Sequence, residues 1–193
     1  MKRVLVPIDG SVRSAAAITY LIDLAASGER NEVVVLNVQP TPKRRQMGGL
    51  ATKVVFDRLR MLGEVATSHS MERLRAADLP HRRRLEIGDN EIDAIVRAAD
   101  EEACDEIVMA GNELHPLARR FRQSGMRLFR SLADRVIDRT DLPVLVVQSA
   151  ASGRIECREF GRDCPGDGAR TVETKHSGPK DRLTIHQRVH ELS

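Results

Sequence analysis

From residue 2 to residue 148 the chain alternates five times between a short aliphatic run and a stretch with helical spacing, and this rhythm constrains the fold more than any other feature. The runs are "KRVLVPID", "NEVVVLNVQP", "HRRRLEIG", "CDEIVMAG" and "LPVLVVQS". Most are continuously apolar instead of alternating, as expected of strands buried on both faces of a parallel sheet. Strand and helix in strict succession, joined by right-handed crossovers, predict a doubly wound α/β fold: a five-stranded parallel sheet with helices on both faces. The third run carries three consecutive arginines, so it is expected at an edge, where charge is tolerated.

The intervening stretches read as helices. The first starts after the Asp9-Gly10-Ser11 turn, presents Ala16, Ile18, Leu21, Ile22, Leu24 and Ala25 at helical spacing, and stops at Gly28. A loop over 40–52 leads to a long helix at about 53–77, whose apolar positions are Val54, Val55, Leu59, Leu62, Val65, Ala66 and Leu74. "DNEIDAIVRAADEEA" opens with an aspartate in cap position and carries Ile92, Ile95, Val96 and Ala99 on one face. After the fourth strand comes an irregular loop, "NELHPLARRFRQSG". A helix over about 126–139 follows, with Leu128, Phe129, Leu132 and Val136 inward.

The character changes after Ser149. Residues 150–193 are about 27% apolar, against 41% for the whole chain, and are rich in Gly and charge. They are expected to be a disordered C-terminal tail, appended to a domain of residues 1–149. Composition excludes several functions for the rest. Aromatics make up 3%, with no Trp, which disfavours a stacking platform for single-stranded nucleic acid. Charges nearly balance at a net +3, which leaves no nucleic-acid footprint. No apolar run approaches the roughly 20 residues of a membrane span, so no membrane partner is expected. Pro7 and Asp9 interrupt any signal-peptide core, and three cysteines make no disulfide framework, so the expected address is the cytoplasm. Cys157, Cys164, His186 and His190 are zinc-ligand types at spacings that zinc fingers do not use, and no metal is expected.

Three segments, "VLVPIDGS", "GDNEIDAIVRAADEEACDEIVMAG" and "LADRVIDRTDLPVLVV", resemble in order and spacing the universal stress protein family, over residues 2 to 148. The resemblance implies strand order 3-2-1-4-5 and a frequent homodimer. In many members it also implies ATP at the carboxyl ends of strands 1 and 4, where a doubly wound sheet opens its crevice. The apolar strand 5 would be the exposed edge, so a homodimer through antiparallel contact of that strand is expected.

Asp9 falls just past strand 1. Read alone, Asp9 and Ser11 serve equally well as the cap and first turn of a helix. The resemblance assigns Asp9 to the nucleoside, and Pro7, Ile8 and Val38 to the adenine pocket. Family members that bind ATP carry Gly-x2-Gly-x9-Gly-[Ser/Thr] after strand 4, where glycine lets backbone amides approach oxyanions. Here Gly111 matches the first glycine, but Leu114 stands at the second and Arg130 at the third, before Ser131. The loop is longer than the pattern by about six residues, and Gly125 offers one further glycine ahead of the helix.

Two readings stay open. Either the phosphate site has decayed, or Arg119, Arg120, Arg122, Arg127 and Arg130 replace backbone amides with guanidinium forks. No nucleophile–base pair and no paired carboxylates stand at a readable spacing. The expected function is therefore a cytoplasmic stress-response binding or signalling module with a degenerate adenine-nucleotide site. The alternatives are a slow ATP-hydrolysing enzyme using the same crevice, and a dimeric interaction protein that binds no nucleotide.

Overall fold

The computed structural model describes residues 1–42, 52–111, 131–149, 155–160 and 170–174. Seven strands form one sheet: β1 (Arg3–Pro7), β2 (Glu32–Gln39), β3 (His81–Ile87), β4 (Glu106–Ala110), β5 (Val144–Ser149), β6 (Ile155–Phe160) and β7 (Arg170–Thr174). Their order is β3-β2-β1-β4-β5-β6-β7. The first five are mutually parallel, in the expected order 3-2-1-4-5. β1 lies between β2 and β4, so the strand order reverses beside it, and in an open α/β sheet that point is where a ligand crevice forms at the carboxyl ends of the strands.

Helices α1 (Ala15–Ala26), α2 (Thr52–Ala76), α3 (Glu91–Glu101) and α4 (Leu132–Ile137) cover the parallel strands. Alternate side chains of each strand enter opposite cores. Val4, Val6, Val33, Val35, Val108, Leu145 and Val147 pack with Ile18 and Leu21 of α1 and Leu74 of α2. Leu5, Val34, Leu36, Ile107, Met109, Val144 and Val146 pack with Ile92 and Ile95 of α3 and Val136 of α4. Double burial explains why the strand sequences run apolar without alternation. Gly28, at φ +105°, takes the left-handed turn that ends α1.

Three local expectations are corrected. The cap of α3 is Asn90, not Asp89: its side chain accepts from the amides of Ile92 and Asp93. The last helix among the described residues begins at Leu132, where Ser131 is extended and forms a capping box with Asp134; the expected positions 126–130 lie outside the described residues. Residues Leu128 and Phe129 lie outside the described residues. The third correction is the face of α2. Its buried positions are Gly63, Thr67, Ser70 and Leu74, whereas Val54, Leu62 and Val65, expected inward, are exposed together with Met61. At Gly63 the helix comes so near the sheet that a Cβ would meet Asn37 and Leu85, whereas Leu74 near its end is buried in full. The buried Thr67 hydroxyl is satisfied within the helix, donating to the Gly63 carbonyl at 2.9 Å.

β3 is an edge strand, as expected, but its arginines do more than guard it. Arg82 pairs with Glu32 of β2 at 3.2 Å and with Glu102 just beyond α3. Arg84 pairs with Glu86 at 2.6 Å, Glu102 at 3.0 Å and Glu101. Arg97 of α3 reaches Glu86 at 3.0 Å. This ladder of charges, two residues apart on the strand, joins β3 to α3 where an apolar contact would otherwise stand.

At the opposite side, β6 and β7 fall within the segment expected to be a structureless tail. β6 runs antiparallel to β5, and β7 antiparallel to β6. Low apolar content counts against an independent element. It does not prevent strands from adding to an existing edge, because most of the pairing energy then comes from tertiary context. The β5 edge expected to receive a second chain is occupied by β6 of the same chain. Residues 150–154, 161–169 and 175–193 lie outside the described residues.

Candidate functional site

The crevice is built around the turn that follows β1. The Ile8 amide continues the ladder, donating to the Leu36 carbonyl at 2.8 Å. The Ile8 carbonyl accepts from Nδ2 of the buried Asn37 at 2.7 Å, and Asn37 Oδ1 in turn accepts from Gln39 at 2.7 Å. Gly10 has φ +85°, and a Cβ there would lie 3.1 Å from the Ala66 Cβ of α2. Glycine thus supplies both the left-handed turn and the space for α2 to press against it.

The sequence-expected wall residues divide between the two sheet faces. Pro7 ends β1, half-buried, opposite Leu36. Val38 is half-buried against the core shared with α3 and α4. Ile8 instead points into the core on the α1 side, where it is 3% exposed. Its side chain therefore packs, and its backbone faces the turn.

Asp9 is exposed, and Oδ1 accepts the Ser11 amide at 2.9 Å. Partial burial acts to raise its pKa. The Ser11 hydroxyl and amide, with Ser14, outweigh burial and hold the carboxyl below its ordinary value. Glu91, the first residue of α3, is the second carboxylate here. Burial and then the charge of Asp9 push its pKa up, and Arg135 of α4 opposes them. Asp9, Glu91 and Arg135 thus share one electrostatic environment, assembled from β1, α3 and α4. Glu91 and Arg135 were not singled out from sequence. The available signal was an acidic residue in the first turn of a helix that follows a strand, since such helix starts face this crevice.

On the phosphate side, Gly111 is buried directly after β4, and its amide donates to the Val147 carbonyl at 2.7 Å. The Ser131 amide donates to Asp134 Oδ2 at 3.0 Å, and its hydroxyl accepts the Asp134 amide at 3.1 Å. The backbone amides of both residues are therefore already engaged within the protein. Leu114, Gly125 and the arginines Arg119, Arg120, Arg122, Arg127 and Arg130 lie outside the described residues. Among the described residues no group of three or more His, Cys, Asp or Glu is placed to hold a metal ion. Nor is any helix among them long and apolar enough to cross a membrane. Cys104 is buried, and burial, then Glu102, push its thiol up to about 11, which leaves it unreactive at neutral pH.

Comparison with known proteins agrees with this architecture. The profile of the Universal stress protein family matches residues 1–148. No curated protein sequence is significantly similar to the chain. Among solved structures, a universal stress protein family member from Burkholderia pseudomallei is 22% identical, with a TM-score of 0.56 over 75% of this chain and 94% of that one. A universal stress protein in complex with cAMP is 23% identical, with a TM-score of 0.55 over 77% and 98%. A family protein from Arabidopsis thaliana with AMP bound is 13% identical, with a TM-score of 0.52 over 79% and 94%. At these identities the structural likeness establishes the fold. The profile match, which spans all five parallel strands and the crevice at β1, establishes that the chain belongs to the universal stress protein family.

Proposed function

We propose that this protein is a cytoplasmic stress-response binding module that takes an adenine nucleotide in the crevice at β1, gripping the nucleoside and holding the phosphates weakly. The observation that carries this reading is Asp9: a carboxylate kept ionised at the point where the strand order reverses, ready to accept hydrogen bonds from ribose hydroxyls or the adenine amine. Pro7 and Val38 supply apolar wall beside it, and the Ile8 backbone sets the turn. The structural relatives solved with cAMP and AMP support an adenine ligand.

The weak phosphate grip follows from the engaged amides of Gly111 and Ser131 and from the charge of the crevice. Among the described residues two carboxylates stand against one guanidinium, which does not favour a polyphosphate. Gly125, Arg130 and the neighbouring arginines are the groups through which ATP would gain over adenosine. We read the chain as a binding module in preference to an enzyme.

Calorimetry with adenosine, AMP and ATP tests the proposal. Binding is expected in the micromolar-to-millimolar range, with ATP little tighter than AMP. Asp9→Ala removes a hydrogen bond to a charged group, about 1.5–3 kcal/mol, and should weaken adenosine and ATP alike by roughly tenfold or more. Arg130→Ala should weaken ATP and leave adenosine unchanged. No heat from any of the three at millimolar concentration, with a folded sample, would retire the nucleotide reading and leave an interaction protein.

A further inference from the structure

We propose that the C-terminal ribbon of β6 and β7 is an intramolecular edge cap that keeps the chain monomeric, occupying on β5 the ladder positions that β5 of a second copy would take. β5 reads Val-Leu-Val-Val-Gln-Ser, without a charge. Its inner edge pairs with β4 from Val144 to Val147. Its outer edge pairs with β6 at all six positions, from Val144 opposite Phe160 to Ser149 opposite Ile155. A strand has one outward row of amides and carbonyls, so pairing with β6 and pairing with another chain exclude each other.

The distribution of charge points the same way. The strands that end the seven-stranded sheet are β3, with Arg82, Arg83, Arg84 and Glu86, and β7, with Arg170 and Glu173. Charged edge strands discourage edge-to-edge association, whereas the uncharged β5 would invite it. In this chain the uncharged strand is internal and the charged ones are outermost. Proximity adds to the preference. Only residues 150–154 separate β5 from β6, and a short linker of this kind gives an effective concentration in the millimolar range. A second copy at micromolar concentration competes at a disadvantage of roughly a hundredfold or more.

The test compares the full chain with the double variant Cys157→Pro/Arg158→Pro by sedimentation velocity at tens of micromolar. Neighbouring residues of a strand direct their amides to opposite sides, so the two prolines remove one ladder bond to β5 and one to β7. The natural chain should sediment as a monomer. The variant should associate with rising concentration until its mass doubles. Hydrogen exchange on the natural chain is the second measurement, and it does not depend on the variant folding: alternate amides of 144–149 on the outer edge should be protected in the monomer. The proposal is overturned if both proteins share one oligomeric state, if the natural chain is the dimer and the variant the monomer, or if those outer amides exchange freely in the natural monomer.

Discussion

Asn37 and Gly63 show how a single atom of space supports the crevice. Asn37 bridges β2 and the Ile8 carbonyl, and a Cβ on Gly63 would come within 2.8 Å of Asn37 Oδ1 and 2.9 Å of Leu85 Cδ2. Gly63→Ala gains roughly 0.8–1 kcal/mol of helix propensity. Overpacking costs about 1–3 kcal/mol, and Asn37 is held by two hydrogen bonds and cannot swing aside, so the clash should win. Urea unfolding should show a net loss of about 1 kcal/mol or more, and an unchanged or raised midpoint would contradict the packing described for α2. Glu91 leads to a prediction of opposite sign. Its pKa is raised in the native state, so its ionisation opposes folding, and that cost appears as pH rises above the ordinary value of 4.5. Glu91→Gln should therefore raise the melting temperature at pH 7 and leave it unchanged near pH 3.5. Of the candidate site, the sequence marked the place through a strand end and a family motif, and the structure puts Asp9, Pro7 and Val38 at the carboxyl ends of β1 and β2 and Gly111 after β4. The sequence did not reveal Glu91, Arg135 or Asn37, because their roles arise from three elements meeting in space.

Between elements, the contact of β3 with α3 is the unusual one, since its specificity is ionic. Arg84 is 17% exposed and meets three carboxylates, so its pairs stand between surface bridges worth about 0–1 kcal/mol and buried ones whose disruption costs about 3–5. Arg84→Ala should cost about 1–3 kcal/mol in urea unfolding. The double variant Arg84→Leu/Glu86→Leu should cost less than the single one, since it leaves fewer charges stranded. A larger loss in the double variant would mean that the charges themselves stabilise the contact. Acid should loosen the same contact. Burial pushes Glu86 up, but hydrogen bonds from Arg84 and Arg97 prevail and its pKa is lowered. The unfolded chain therefore takes up this proton first as pH falls. The stabilisation is complete above about pH 4.5 to 5 and is lost as pH descends through the native value. Urea midpoints should fall between pH 5 and pH 3, and more shallowly for Glu86→Gln. Element existence was legible for β1 to β5 and the four described helices, because aliphatic runs and helical spacing carry it. The inward face of α2 was not. Its apolar residues suggested a core face, of which Leu74 is buried, whereas the near approach of helix to sheet at Gly63 selects a residue without a side chain.

Over the whole molecule, stability should grade from the middle of the sheet outward. β1 and β4 are flanked on both sides and covered on both faces, with Leu5, Val6 and Ile107 fully buried. Native-state hydrogen exchange should find the amides of Val4–Val6 and Ile107–Met109 among the slowest, opening only with global unfolding, and those of β7 among the fastest. Equal protection of β7 and β1 would mean that the ribbon belongs to the same cooperative unit as the parallel sheet. The five-stranded frame and its order were legible because a doubly wound sheet has few alternatives once the strands are counted. The two added strands were not, because their sequence forms an element only against an edge already made.

The order of the strands also sets a timetable during synthesis. β1 emerges from the ribosome first, yet pairs on one side with β4, so Val4 waits for Glu106 before the sheet can close. β5 then completes the parallel frame with its outer edge bare, and the ribbon that covers it ends only at Thr174. Translation at about 5–20 residues per second makes that interval roughly 1–5 s. Nascent copies on one polysome lie close together in those seconds, and the uncharged strand is open to its neighbours until Thr174 has been made.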